Sequence, residues 1–174
     1  MVRVLEAAAA GRYKTYAALS YLILAKEHRQ TSEVYEAARD LSTIGIDVES
    51  TKDFLSRAEH IPLAQECPNS RLKASGEYLR ALIEFYTSSG FEPLDIQPDH
   101  PAAMLAFVAR LIKMEIEEPK ERINYWRLQH RFIKTYLIDA LTCLRAKIPC
   151  RFTEATLEAI GVDLNLLLET LTCK

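Results

Sequence analysis

Asp99 and His100 stand side by side between Pro98 and Pro101. They place a carboxylate and an imidazole in backbone whose freedom the two pyrrolidine rings remove. Proline fixes its own φ and biases the residue before it toward an extended conformation, so Gln97 and His100 are pushed out of the helical region. An Asp–His pair held this way has three chemical uses: capping a helix, moving a proton, or touching a bound ligand. Capping accounts for Asp99. Asp, Pro and then an apolar run is a helix start in which the side-chain oxygen satisfies free backbone N–H groups. His100 is left with two readings, a hydrogen-bonded tie from the loop to a neighbouring helix or a contact to a ligand. Acid–base catalysis by the pair would further need a concave pocket and a nucleophile or metal, and the sequence shows neither of the last two.

The surrounding charge is one-sided. Between Arg80 and Arg110 there is no Lys or Arg, while Glu84, Glu92, Asp95 and Asp99 give a local formal charge of −4. A solvated acidic loop is the plain reading, since exposed charges contribute little to stability. The functional reading is a receptor for a basic segment, with Asp99 the best placed acid because the prolines hold it.

Several classes of chemistry lack their residues. The histidines are His28, His60, His100 and His130; none has Glu three residues before it and no H-E-x-x-H occurs, which removes the common helical di-iron and zinc-protease spacings. The glycines, at 11, 45, 76, 90 and 161, form neither a P-loop nor a G-x-G-x-x-G turn. Cys67, Cys143, Cys150 and Cys173 have no C-x-x-C pairing, so four free thiols are expected, with Cys143 a small core residue. No cofactor and no metal is expected. A net charge of −2 and a pI near 6.1 provide no basic field for nucleic acid. No apolar run approaches the ~18–20 residues a bilayer requires, and the N-terminus reads as a helix carrying Arg12 and Lys14 rather than a signal peptide, so a cytoplasmic location without membrane insertion is expected.

The elements that must position the loop are helices. With 23 Leu and 21 Ala against 6 Val and 5 Gly, the composition favours helix formers over β-branched residues and turn glycines. A chain of 174 residues suits a single all-α domain, 1–174, a bundle of six to eight helices. Periodicity predicts a first helix over Val4–Arg29 and a second over Ser32–Ile44 stopped by Gly45. A third starts at Ser50 with a Ser50–Asp53 capping box and is limited by Pro62. Arg71–Ser88 follows, with Leu72, Leu79, Leu82, Ile83 and Tyr86 on one side, Gly76 at a close helix contact and Gly90 as terminator. Next come Pro101–Glu117 and Lys120–Lys147, the latter turning Trp126, Phe132, Ile133, Tyr136, Leu137, Ala140, Leu141 and Leu144 inward. Two short helices, Thr153–Ile160 ending at Gly161 and Asp163–Leu171 capped by Asp163, close the chain.

An acidic loop closing in Pro98-Asp99-His100 before a helix carrying Leu105, Phe107 and Leu111 resembles the signature of the TorD/DmsD/NarJ family of redox-enzyme maturation chaperones. The approach through Phe85-Tyr86 and Gly90-Phe91 is similar to the nitrate-reductase assembly branch of that family. A second family pattern, Q-x-x-F-[LI]-x-x-H-L-x-x-W, is matched by Gln129, Phe132, Ile133 and Leu137; Tyr136 stands where the family often has His and Ala140 where it often has Trp. The match is concentrated in Phe85–Ala140. The resemblance implies a TorD-like helical, cytoplasmic, non-enzymatic protein, monomer or homodimer. Its partner would be the twin-arginine signal peptide, or the apo catalytic subunit, of a molybdopterin-containing oxidoreductase, held back until its cofactor is inserted.

If the helices Pro101–Glu117 and Lys120–Lys147 are antiparallel neighbours, Trp126 and Gln129 approach the loop. The expected client-binding set is then Pro98, Asp99, His100, Glu92, Asp95, Gln129, Trp126, Phe132 and Tyr86. In this scheme Asp99 and its acidic neighbours receive a basic segment, His100 and Gln129 fix its backbone or the loop, and apolar side chains cover its hydrophobic part. Two alternatives stay open: a helical adaptor with no redox client, and an enzyme working through Asp99 and His100.

Overall fold

A computed structural model describes residues 2–25, 32–67 and 76–172; among these every regular element is helical and no strand occurs. The helices are α1 (Val2–Leu24), α2 (Ser32–Asp40), α3 (Val48–Arg57), α4 (Gly76–Ser88), α5 (Pro101–Glu117), α6 (Arg122–Phe132), α7 (Ile138–Lys147) and α8 (Arg151–Thr172). A π-helical turn, Ile133–Leu137, carries α6 into α7 without a break. The all-α bundle expected from composition is the architecture observed.

The bundle is organised around α5, which is apolar on nearly every side and buries Met104, Leu105, Phe107, Val108, Leu111 and Ile112 among others. A helix that is hydrophobic all round must be central. Its most extensive partner is α1, its second α6, while α8 lies across α6, α7 and α3. Small residues face this seam, with Ala102 and Ala109 of α5 and Ala9 of α1 all buried, and Ser20 Oγ donates to the Ala102 carbonyl at 2.8 Å. Beyond α5 the core becomes aromatic. Phe107 and Phe132 are 4.6 Å apart between ring centroids, and Tyr86, Phe91, Phe85 and Tyr136 surround them.

Pro101–Glu117 forms over its expected span, but other boundaries differ. α1 ends at Leu24, and the rest of its expected run, to Arg29, lies outside the described residues, as do Leu72 and the expected start of α4 at Arg71. α2 stops at Asp40 and the chain tightens into the turn Ser42–Ile44, closed by Gly45 at φ 79°. The capping box is one turn earlier than expected. Asp47 accepts from the Ser50 N–H at 2.7 Å and its own N–H donates to Ser50 Oγ at 2.9 Å, so Ser50 is the third residue of the helix, not its cap. α3 ends at Arg57, before Pro62 is reached. Gly76 begins α4 with open space where a side chain would sit, so it marks no close packing.

The two expected C-terminal helices are one, α8, which runs through Gly161. Asp163 caps nothing, because Arg12 of α1 holds it. The apolar stripe of Phe152, Ile160 and Leu167, all buried, keeps the helix continuous despite a glycine costing about 1 kcal/mol. The cysteines also depart from expectation: Cys67 and Cys143 form a disulfide, with Cα atoms 5.7 Å apart at a sequence separation of 76. That separation leaves no local pattern to read. Closing so long a loop contributes about 4 kcal/mol in the chain-entropy account. Cys150 is buried and free; Cys173 lies outside the described residues. Among the described residues no helix is long and apolar enough to cross a membrane.

An added methyl at Gly161 meets nothing within 4 Å. Gly161→Ala is therefore expected to raise stability by about 0.5–1 kcal/mol, measured as a higher midpoint of urea unfolding.

Candidate functional site

The loop from α4 to α5 is shaped by a glycine and a row of aromatic contacts. Gly90 takes φ 64° and the N–H of Phe91 returns to the Tyr86 carbonyl at 3.0 Å, ending α4 in a left-handed turn. The Phe91 ring then packs on Tyr86 and Phe107 at 5.1 and 5.2 Å. Tyr86, itself buried, donates its hydroxyl to the Pro98 carbonyl at 2.8 Å. The loop's far end is thus fastened to the aromatic core, while Leu94 is 76% exposed and Asp95 adopts φ 58°.

His100, not Asp99, caps α5. Pro101 occupies the first turn and has no N–H, so the first donor needing a partner belongs to Ala102, which donates to His100 Nδ1 at 3.1 Å. Acceptance at Nδ1 places the neutral ring's proton on Nε2. Asp99 is thereby released for a different task. Its Oδ2 accepts the Gln65 N–H at 3.2 Å and its carbonyl accepts the Ala64 N–H at 3.1 Å, clasping the turn Ala64–Glu66. Asp99 is 1% exposed and His100 3%. Asp99 Oδ1 has no hydrogen-bond partner among the described residues.

Where this turn faces the loop there is a cleft of about 450 Å³, lined by Ile61, Leu63, Asp95, Ile96, Gln97 and His100. Its accessible charge comes from Asp95 with Glu92 and Glu84 exposed nearby in the chain, whereas Asp99 faces protein. The expectation that Asp99 meets a basic segment directly does not match this placement: its carboxylate is buried against the Ala64–Glu66 turn, and Asp95 is the acid in the lining.

Gln129 and Trp126 do not approach this loop. Gln129 Nε2 donates to Glu115 Oε2 at 3.0 Å and its Oε1 accepts from Arg12 Nη2 at 2.6 Å. Arg12 also reaches Asp163 at 2.6 and 3.0 Å and Glu115 at 3.3 Å, and Tyr16 donates to Asp163 at 2.8 Å. Trp126 lies against the same cluster, lining a small groove with Arg12, Glu115 and Asp163. In an antiparallel α5–α6 hairpin the first turns of α6 meet the last turns of α5. Glu115 lies fifteen residues beyond His100, or about 22 Å at the helical rise. Phe132, further along α6, does reach the loop's end of the core, but as a fully buried ring, and Pro98 contributes its carbonyl rather than its ring.

Sequence reasoning missed Arg12, Glu115 and Asp163 as a group. The one available signal was charge at positions on otherwise apolar helical faces, such as Arg12 preceding Tyr16 and Leu19. No family model matches the chain. Among the described residues no cluster of three or more His, Cys, Asp or Glu is arranged to hold a metal ion.

Gln129 is 0% exposed, so Gln129→Ala strands donors and acceptors on Arg12 and Glu115. A loss of about 2 kcal/mol in urea unfolding is expected. Burial also holds the phenols of Tyr16, Tyr78 and Tyr86 above the ordinary tyrosine range, with Asp163 adding to Tyr16 and Asp99 to Tyr78. A raised folded-state value means the folded protein keeps protons that the unfolded chain gives up. The associated stability is whole below about pH 10 and falls as pH rises beyond it. In an absorbance titration these three tyrosines are expected to ionise only together with loss of helical circular dichroism.

Proposed function

We propose that this protein is a cytoplasmic maturation chaperone which binds the twin-arginine signal peptide, or the apo subunit, of a molybdopterin-containing oxidoreductase before cofactor insertion and export. The observation that carries the reading is the cleft beside Pro98-Asp99-His100, whose lining combines Ile61, Leu63 and Ile96 with Asp95, Gln97 and His100. The loop sequence itself resembles that chaperone family. A leader of this type joins a basic segment to an apolar one. Asp95, in the lining, and Glu92, exposed three residues before it, supply opposite charge to the first half, and Ile61, Leu63, Ile96 and the exposed Leu94 supply surface for the second. His100 holds the α5 terminus that backs the cleft, and no covalent step is required of any residue.

A second reading, an adaptor without a redox client, draws on another surface. Val162, Leu166 and Leu168 of α8 and Leu5 of α1 are exposed at 54%, 55%, 46% and 36%, and runs of exposed apolar side chains mark contact surfaces.

Calorimetric titration with a synthetic twin-arginine leader peptide separates the two. The double substitution Glu92→Lys/Asp95→Lys touches only exposed side chains and is expected to weaken binding by roughly tenfold at low salt and to remove most of its salt dependence. His100→Asn keeps a side chain able to cap α5 and is expected to preserve helix content while changing affinity. Unchanged affinity in both variants would overturn the assignment of this cleft.

A further inference from the structure

The wall of the cleft that faces the acidic loop is irregular backbone, with Ala58, Ile61 and Ala64 buried in the core beneath it. From Ala58 to Leu63 the chain has no helical structure. Ile61 and Leu63 line the cleft, and the turn Ala64–Glu66 follows, fastened to the loop by the two N–H groups that Asp99 accepts. Both of those bonds exceed 3.0 Å. Cys67 comes next, directly after the turn, with its N–H returning to the Ala64 carbonyl at 3.4 Å. The bond from Cys67 to Cys143 therefore adds a covalent cross-link from the end of this wall to α7, beyond the backbone connection to α3.

We propose that the Cys67–Cys143 pair is a redox latch on the cleft: oxidised, it holds the wall against the loop so that a client segment can be gripped; reduced, it frees the wall and lowers affinity. The inference rests on the cleft assigned above. The chemistry is thiol–disulfide exchange with a dithiol reductant. A thiolate of the reductant attacks one sulfur, a mixed disulfide forms, and the second thiolate displaces the remaining cysteine. The protein gains two electrons and two protons as Cys67 and Cys143 become thiols, and the reductant leaves as its own disulfide. Each half-cystine retains a small exposed edge, 5% at Cys67 and 6% at Cys143. Cys150 hydrogen-bonds within the α7–α8 turn, to Thr153, and is outside the latch.

The groups that report the latch are the N–H groups of Ala64 and Gln65, because they are the ones that Asp99 holds. Hydrogen exchange followed by mass spectrometry on the full-length protein, air-oxidised and then treated with dithiothreitol, is expected to show their exchange accelerating by roughly tenfold or more while the amides of α5 stay protected. In parallel calorimetry with a twin-arginine leader peptide, reduction is expected to weaken binding about fivefold or more. Cys67→Ser/Cys143→Ser should behave as the reduced protein and ignore the reductant, and Cys150→Ser should respond as the native chain does. If that double variant does not fold, reductant applied to the native chain gives the same comparison. Unchanged exchange at Ala64 and Gln65 overturns the latch whatever the peptide does, and so does alkylation of both cysteines in air-oxidised protein without reductant. Exchange that responds to dithiothreitol while no leader peptide binds either form upholds the latch and defeats the client reading instead.

Discussion

The arrangement around the cleft is organised by the start of α5, where Pro101 has no N–H and the first free donor is that of Ala102. The side chain of the residue immediately before the proline reaches it. That residue is His100, so the imidazole is occupied at the helix end, and the carboxylate beside it turns to a segment 34 residues earlier in the chain. An Asp–His pair that looks like one functional unit in sequence is divided between two structural duties. Both duties shape the same cleft.

The two ends of α5 illustrate how a central helix distributes polar groups. Near its start, backbone amides and one carboxylate join the loop to the Ala64–Glu66 turn. Near its end, Glu115 enters a cluster in which Arg12, Gln129, Asp163 and Tyr16 satisfy one another across four helices. Buried charges require partners, and each member of this cluster supplies another's. The cluster fixes how α1, α5, α6 and α8 meet, and hence the rigidity of the body against which the loop and the wall are set. Trp126 and Gln129 belong to that fixing role, with the cleft beside the Pro98–Pro101 loop at the other end of α5.

Function in this reading comes from surface charge laid over a held backbone. Asp99 is too enclosed to meet a ligand without rearrangement, yet it positions the wall; Glu92 and Asp95 are exposed, and under the proposed function they select the sign of the segment that approaches. Separation of structural from electrostatic duties among neighbouring acids is ordinary in proteins, because a carboxylate that accepts backbone hydrogen bonds in a buried site is screened from solvent and partners alike.

Much of the fold was legible in the residues themselves. Leu and Ala in place of Val and Gly dictate helices, the apolar stripe of Pro101–Glu117 marks the central one, and Gly90 with the proline pair delimits the loop, because each of these depends on propensity or spacing within a few residues. Those same local rules misplaced the α3 capping box by one turn and divided α8 at Gly161, where a buried stripe and the Arg12–Asp163 contact outweigh a glycine. What only the tertiary structure decided is which distant groups meet: Arg12 with Gln129 and Asp163, Asp99 with Gln65, Cys67 with Cys143. Such partnerships are set by how whole helices cross and run antiparallel, and a single sequence carries no local trace of the crossing.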